Sequence, residues 1–514
     1  MTLLKNSMCA RLFLSLCHWC GVFWEGSALS GLCRRVWLCL QRKAEESVVC
    51  QALAGEGLLP RKWRESLSCF LFQGLLDLPC RLTQWIYQKG RSLWDGSFFC
   101  RLFFAAGGWS CVLVGLFVLV MLVAPHSRWN NAYGFLGAVA VTALFVLACC
   151  ATRPARRLEG AAYGPYMFFY LLCVFGALAY SLSTRASMRF FLFYAAAFLL
   201  AMLVRSSVED LTQLRLLVAL AVVGAVAAAL YGCYQGYIGV EIVPSQQDAK
   251  LNVGMPGRVY SFFDNPNNFA EILVMLIPLD LGLLFSAKGW RERFLALAAL
   301  APCLCAIGMT YGRSCWIGLV LAFLVFIALL NWRLVPVMIV LGILSIPFLP
   351  STIYNRILTI GDMRDASTRY RFAIYLASGN LLEDYWLRGV GLGTDALKQA
   401  FQSYPTMYDG NYPIHTHNNY LEMWCELGLA GGVAYIAMLL HTLKTGLRSF
   451  CFSGNRRLRY MLAGSLGALC GIMVVSIAEY TWFYPRNMFI FWFLLGVILA
   501  CVKLNQKELE GAKM

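Results

Sequence analysis

The chain has 514 residues, of which 60% are hydrophobic and 14% charged, with a mean hydropathy of +0.63 and a formal net charge of +16. A soluble globular chain carries about 25% charged residues, so this composition excludes a protein that covers itself in water. The basic excess alone would admit a nucleic-acid partner, but its position along the chain points to membrane topology instead.

Residues 1–101 hold 13 Lys or Arg and nine of the 21 cysteines. Apolar, aromatic runs from Arg11 to Trp24 and from Ser66 to Cys80 are short and flanked by Arg34, Arg35, Arg61, Lys62 and Arg64. They read as interfacial amphipathic pieces on the cytoplasmic side rather than as spans, and no small-residue cleavage site marks a signal peptide. Cys17-His18-Trp19-Cys20 has the spacing of half a metal site, but no second pair complements it, so neither metal nor cofactor is expected.

From residue 102 onward, apolar runs reach the roughly 20 residues that cross a bilayer core. They fall at 102–124, 132–150, 163–182, 188–205, 214–238, 268–287, 293–310, 314–331, 334–350, 420–442, 458–478 and 485–503. The fold class expected is an all-α membrane protein of about twelve transmembrane helices. Nine lie in 102–350, a large loop follows at 351–419, three more lie in 420–503, and 504–514 forms a cytoplasmic tail.

With the N-terminus inside, the inner loops and tail hold seventeen basic residues: Arg153, Arg156, Arg157, Arg205, Arg215, Lys288, Arg291, Arg293, Arg333, Lys444, Arg448, Arg456, Arg457, Arg459, Lys503, Lys507 and Lys513. The short outer loops hold seven: Arg128, Arg185, Arg189, Lys250, Arg258, Arg313 and Arg486. Basic residues stay on the cytoplasmic side, which makes the large loop extracytoplasmic. The two long outer loops, 239–267 and 351–419, contain no cysteine, so this residue acts as a small buried apolar group or a reduced thiol.

Three outer segments depart from membrane filler. They are Arg258 to Glu271, with Asp264-Asn265-Pro266-Asn267-Asn268; Thr310-Tyr311-Gly312-Arg313-Ser314; and His415-Thr416-His417-Asn418-Asn419-Tyr420-Leu421-Glu422. Each has a bland reading: Asn268-x-x-Glu271 and Asn419-x-x-Glu422 have capping-box spacing, and the arginines can snorkel to headgroups. As a set they suit chemistry on an anion. Guanidinium forks grip phosphate, and a histidine just before a helix N-terminus is kept neutral and able to accept a proton.

On these residues the chain resembles the O-antigen ligase and polysaccharide polymerase family. The resemblance covers roughly residues 110–500 and is carried by Arg258…Phe263-x-x-Pro266-Asn267, Gly312-Arg313-Ser314, Arg369…Gly389-Val-Gly391-Leu-Gly393 and His417-Asn418-x-x-Leu421-Glu422…Glu426-Leu-Gly428. It implies a GT-C-like bundle and a metal-independent, inverting membrane glycosyltransferase. The implied donor is a glycan on undecaprenyl pyrophosphate, and the acceptor is a glycan, lipid or protein hydroxyl at the outer face of the bacterial cytoplasmic membrane. Arg258 and Arg313 are then expected to neutralise the pyrophosphate, and His417 to orient or deprotonate the acceptor; the residues leave both histidine roles open.

Arg369, Arg371, Arg388, His415, Asn418, Glu422 and Asn267 are the further substrate-binding candidates, and the Gly389–Gly393 run reads as a tight turn. Glu383-Asp384 and the N-terminal extension depart from the family pattern. A transporter or flippase of lipid-linked glycans is the rival class, with Asp280, Glu422 and Glu426 as its few intramembrane acids. A scaffold would need none of the His and Arg set. Ligase, polymerase and protein O-oligosaccharyltransferase stay open as acceptor classes.

Overall fold

The computed structural model describes residues 55–152, 156–243, 254–406 and 412–511, with isolated positions before residue 55. The Cys17–Cys20 motif, the run from Arg11 to Trp24, and Arg153, Lys250 and Lys513 lie outside the described residues. The chain forms two compact units, 1–61 and 62–514, and every helix named here belongs to the second.

The second unit is all helical among the described residues. Ten helical runs are long and apolar enough to cross a membrane. They include α2 (Phe98–Val123), α3 (Asn131–Cys149), α5 (Thr184–Ser207), α6 (Leu211–Ile238), α7 (Pro266–Ser286) and α8 (Trp290–Met309), after the amphipathic α1 (Leu67–Lys89). The run Arg313–Phe348 follows, and the last three are α14 (Asn419–Phe452), α15 (Arg456–Val475) and α16 (Pro485–Gly511). Helix α4 (Gly164–Gly176) is apolar but shorter.

The sequence reads Arg313–Phe348 as two spans, and the chain does double back there. Helix α9 (Arg313–Asn331) advances about 28 Å at 1.5 Å per residue to a 3-10 turn at Trp332–Leu334, and α10 (Val335–Ser345) follows. Yet Arg313, at the start of α9, donates to the carbonyl of Thr359 at 2.7 Å, just past α11 (Ser351–Leu358). A straight 36-residue rod would separate these residues, so α10 returns toward the start of α9.

Helix α16 is the axis of the bundle, buried along its whole apolar length. In lipid there is no hydrophobic drive between helices, so close packing depends on small residues. Gly467-x-x-x-Gly471 of α15 supplies them: a Cβ on Gly471 would lie 2.6 Å from the carbonyl of Gly318 on α9.

Helix α14 is broken at Gly428 (φ 68°, ψ −173°), and the Gly389–Gly393 run, which leads into α13 (Thr394–Phe401), fills the break as a buried strap. The amide of Val390 donates to the carbonyl of Cys425 (2.8 Å) and that of Gly391 to Glu426 (3.0 Å), while Leu429 donates to Trp386 (2.8 Å). These bonds satisfy the backbone groups that a helix break orphans inside the protein. Glycine is required on both sides, since a Cβ on Gly428 would meet the Leu387 carbonyl at 2.1 Å. The run expected as a tight turn therefore sets the tilt of the first leg of α14.

The caps also differ from the sequence reading. Asn265, not Asn268, caps α7, and Asn418, not Asn419, caps α14, accepting from the amides of Tyr420 and Leu421. Glu422 reaches back to the amide of Thr416 (2.6 Å). This longer reach closes the loop ahead of α14 and presents His417.

Candidate active site

The three polar segments picked out by sequence meet at one end of the bundle. Each contains one of the three described non-glycine residues with left-handed backbone: Ser261 (φ 56°), Tyr311 (φ 51°) and His417 (φ 52°). Such conformations cost energy and persist only where the surroundings hold them. At His417 the hold is visible: the hydroxyl of Tyr375, on α12 (Ala366–Tyr385), donates to the carbonyls of both His417 and Ile477 at 3.2 Å.

The centre is a residue absent from the sequence-based candidates, Glu479, in the turn between α15 and α16 and 6% exposed at its side chain. It pairs with Arg371 of α12, accepts from Asn267 Nδ2 (3.0 Å) and faces His417 Nδ1 (3.4 Å). Asn267 in turn accepts from the Arg258 guanidinium, whose Nε donates to the Thr310 carbonyl at 2.6 Å. Thus His417, Arg371, Glu479 and the Arg258–Asn267 pair form one network, contributed by four segments.

Beside it, Arg313 donates to Asp365 Oδ2 (2.6 Å) and to the carbonyl of Thr359, while Arg356 stands 3.8 Å from the other Asp365 oxygen. Asp365 also caps α12, accepting from the amide of Thr368. One helix thereby links both groups, its cap holding Arg313 and its second turn carrying Arg371.

Charge states follow from these contacts. Burial acts to raise the Glu479 carboxyl, but Arg371, His417 and Arg258 outweigh it and hold it at about 2, so it is ionised at neutral pH. Burial, reinforced by Arg356, lowers Arg258 to about 10, which leaves it protonated. Burial opposes ionisation of Asp365 too, yet Arg313 keeps its pKa below the ordinary value. Burial and the adjacent His417 push His415 well below the usual imidazole range. Neutral His415 stacks edge-on to His417 at 4.1 Å between ring centres and accepts the His417 amide at Nδ1 (3.3 Å).

The other sequence candidates separate. Asn418 and Glu422 shape the loop as described. Arg369 and Arg388 are exposed on and after α12, the latter lying 5.6 Å from the Tyr385 ring. Glu426 is buried against the Gly393 amide (3.0 Å) and the hydroxyls of Tyr194 and Tyr480, which makes it an anchor for the strap. Asp280 is buried in α7 without a side-chain hydrogen-bond partner among the described residues. The signal that could have found Glu479 is its isolation: it is the one acid between Glu426 and the C-terminal tail, at the mouth of an apolar hairpin.

Fold and site define a multi-pass α-helical membrane protein with a buried imidazole–carboxylate–guanidinium network at one end. Residues 297–436 match the family model described as O-antigen ligase, which supports that family for this chain and an O-antigen-ligase-type membrane enzyme. The matched stretch contains Arg313, Asp365, Arg371 and His417; Arg258, Asn267 and Glu479 lie outside it. No curated protein matches the chain.

Proposed function

We propose that this protein transfers a glycan from undecaprenyl pyrophosphate to an acceptor hydroxyl at the outer face of the bacterial cytoplasmic membrane, in cell-surface polysaccharide assembly. The observation that carries this reading is the convergence of His417, Arg371, Asn267 and Arg258 on Glu479, a buried carboxylate that fixes the imidazole.

Glu479 accepts the Nδ1 proton of His417, so Nε2 carries the lone pair. The acceptor O–H gives its proton to Nε2 while its oxygen bonds to the anomeric carbon. Attack comes from the face opposite the leaving group, inverting that carbon as its bond to the phosphate oxygen breaks. The electron pair departs with undecaprenyl pyrophosphate, whose added negative charge Arg258, Arg313 and Arg371 stabilise. The buried Nε of Arg371 has no hydrogen-bond partner among the described residues, which leaves a donor for a phosphate oxygen. No step calls for a metal. The basic residues read as cytoplasmic include Arg156, Arg205, Lys503 and Lys507, which cluster at the opposite end of the bundle, and this supports an outward-facing site.

The test is the surface-glycan profile of a deletion strain carrying the wild-type gene or His417→Ala. Loss of product with the variant inserted in the membrane is expected, and wild-type product from His417→Ala would remove the site. Loss of long chains with single units retained identifies a polymerase, and free lipid-linked polymer a ligase. Labelling that reached His417 from the cytosol alone would overturn the sidedness.

A further inference from the structure

Apart from the Glu479 network, a second polar pocket lies at the same end, where α2, α3, α7 and α16 meet. It is a cavity of ≈ 60 Å³ whose lining includes Trp129, Asp264, Asn268, Tyr484, Arg486 and Asn487. One water occupies about 10–15 Å³ on this measure, so the space admits the edge of a small ring.

Two of its side chains are nearly fully buried with unused hydrogen-bonding capacity. Arg486, 4% exposed, lies over the rings of Trp129 (4.5 Å) and Phe263 (5.0 Å). Its Nη1 donates to the Ala124 carbonyl at 3.0 Å, and its Nη2 has no hydrogen-bond partner among the described residues. Asn487, 1% exposed, donates through Nδ2 to Glu271 (2.6 Å) and to the Asn268 carbonyl (3.1 Å), and its Oδ1 has no hydrogen-bond partner among the described residues. Asp264 adds a carboxylate, held by Asn268 Nδ2 at 3.0 Å and by the Tyr484 hydroxyl.

A cationic donor, an amide acceptor and a carboxylate lining one cavity do not suit phosphate, which would face two acceptors. They suit hydroxyls, each of which gives one hydrogen bond and takes another. Aromatic rings border the same space. Phe263 and Asp264 also line the larger cavity that reaches Arg258, so an occupant here lies beside the transfer site.

We infer that this cavity is a sugar subsite, in which Arg486, Asn487 and Asp264 read adjacent hydroxyls on a neutral pyranose of the glycan being transferred. The inference rests on the glycan-transfer reading and adds the part of the substrate that the site selects.

Saturation-transfer NMR on the purified full-length protein in detergent tests it, with neutral methyl hexosides and hexuronates as probes. A neutral hexoside should bind the wild type and His417→Ala. Its apparent affinity should fall at least about tenfold in Arg486→Met, as loss of a charge-assisted hydrogen bond implies. Should Arg486→Met fail to fold, Asp264→Asn, which keeps the side-chain shape, should show the same loss. The inference is overturned if no hexoside binds the wild type, as in a cavity holding water only. Unchanged affinity in the folded variants, or binding of hexuronates alone, would overturn it as well. Because binding is read without turnover, these outcomes are separate from the glycan profile of His417→Ala, which tests the transfer reading itself.

Discussion

The two ends of the bundle carry the same ionic inventory and use it differently. At one end Arg156, Arg205, Lys503 and Lys507 stand over Glu159 and Glu209; at the other, Arg313, Arg356, Arg371 and His417 stand over Asp365 and Glu479. Counting ion pairs would not tell them apart. The side chains of Glu159 and Glu209 are 31% and 27% exposed, whereas those of Asp365 and Glu479 are 1% and 6% exposed. Every described non-glycine residue with left-handed backbone belongs to the second end. Water reaches the acids of the first set, although Arg205 and Lys503 are buried against them, and this set ties helix termini together. The second is desolvated and held under strain, where electrostatics act at full strength.

The comparison breaks most sharply at His417. His417→Ala is expected to lower transfer on the order of 10²–10⁴-fold, read from product formation by the purified protein, with membrane insertion unchanged. Glu479→Gln keeps the shape but removes the charge that fixes the Nδ1 proton, and turnover should fall about 10²-fold with little change in the KM for donor.

Glu479 also gives a pH signature. Its folded pKa lies at about 2, below the ordinary 4.5, so the stability it contributes is present above pH 4.5 and is lost as pH falls toward 2. The melting-temperature gap between wild type and Glu479→Gln should therefore persist from pH 8 to 5 and close only under more acid conditions.

Gly428→Ala tests whether the strap positions the site. A Cβ there would lie 2.1 Å from the Leu387 carbonyl, so the break must shift, at a cost of at least about 1–3 kcal/mol. Both thermal stability and transfer should drop, and full activity would show that the tilt of α14 is immaterial. The smallest effect is expected at the opposite end. Lys507→Ala removes a half-exposed partner of Glu209, and should cost under about 1 kcal/mol and leave transfer unchanged.

Much of this was legible in the sequence, for reasons that differ by element. The spans are visible because hydrocarbon demands long apolar runs with internally satisfied backbone. Even the doubled-back pair α9 and α10 is written in the sequence, as two apolar runs about Trp332-Arg333-Leu334. Arg258, Asn267, Arg313, Arg371, His415 and His417 stand out because charged and polar side chains are costly in such a chain. Glu479 and Asp365 did not: a single acid in a short turn and another at a helix cap look like ordinary punctuation. The same holds for Gly389, Gly391 and Gly393, whose spacing describes any turn until the break in α14 shows what they fill.

By itself, then, the sequence determined the membrane class, the order of the spans and the three polar segments, because hydropathy and charge are local properties that the bilayer sorts directly. Which side chains touch was decided by tertiary structure. Glu479 meets Arg371 and His417 across 108 and 62 residues of chain. That meeting depends on the packing of α12, α14 and the turn before α16, and on the capped and broken start of α14, none of which a linear pattern encodes.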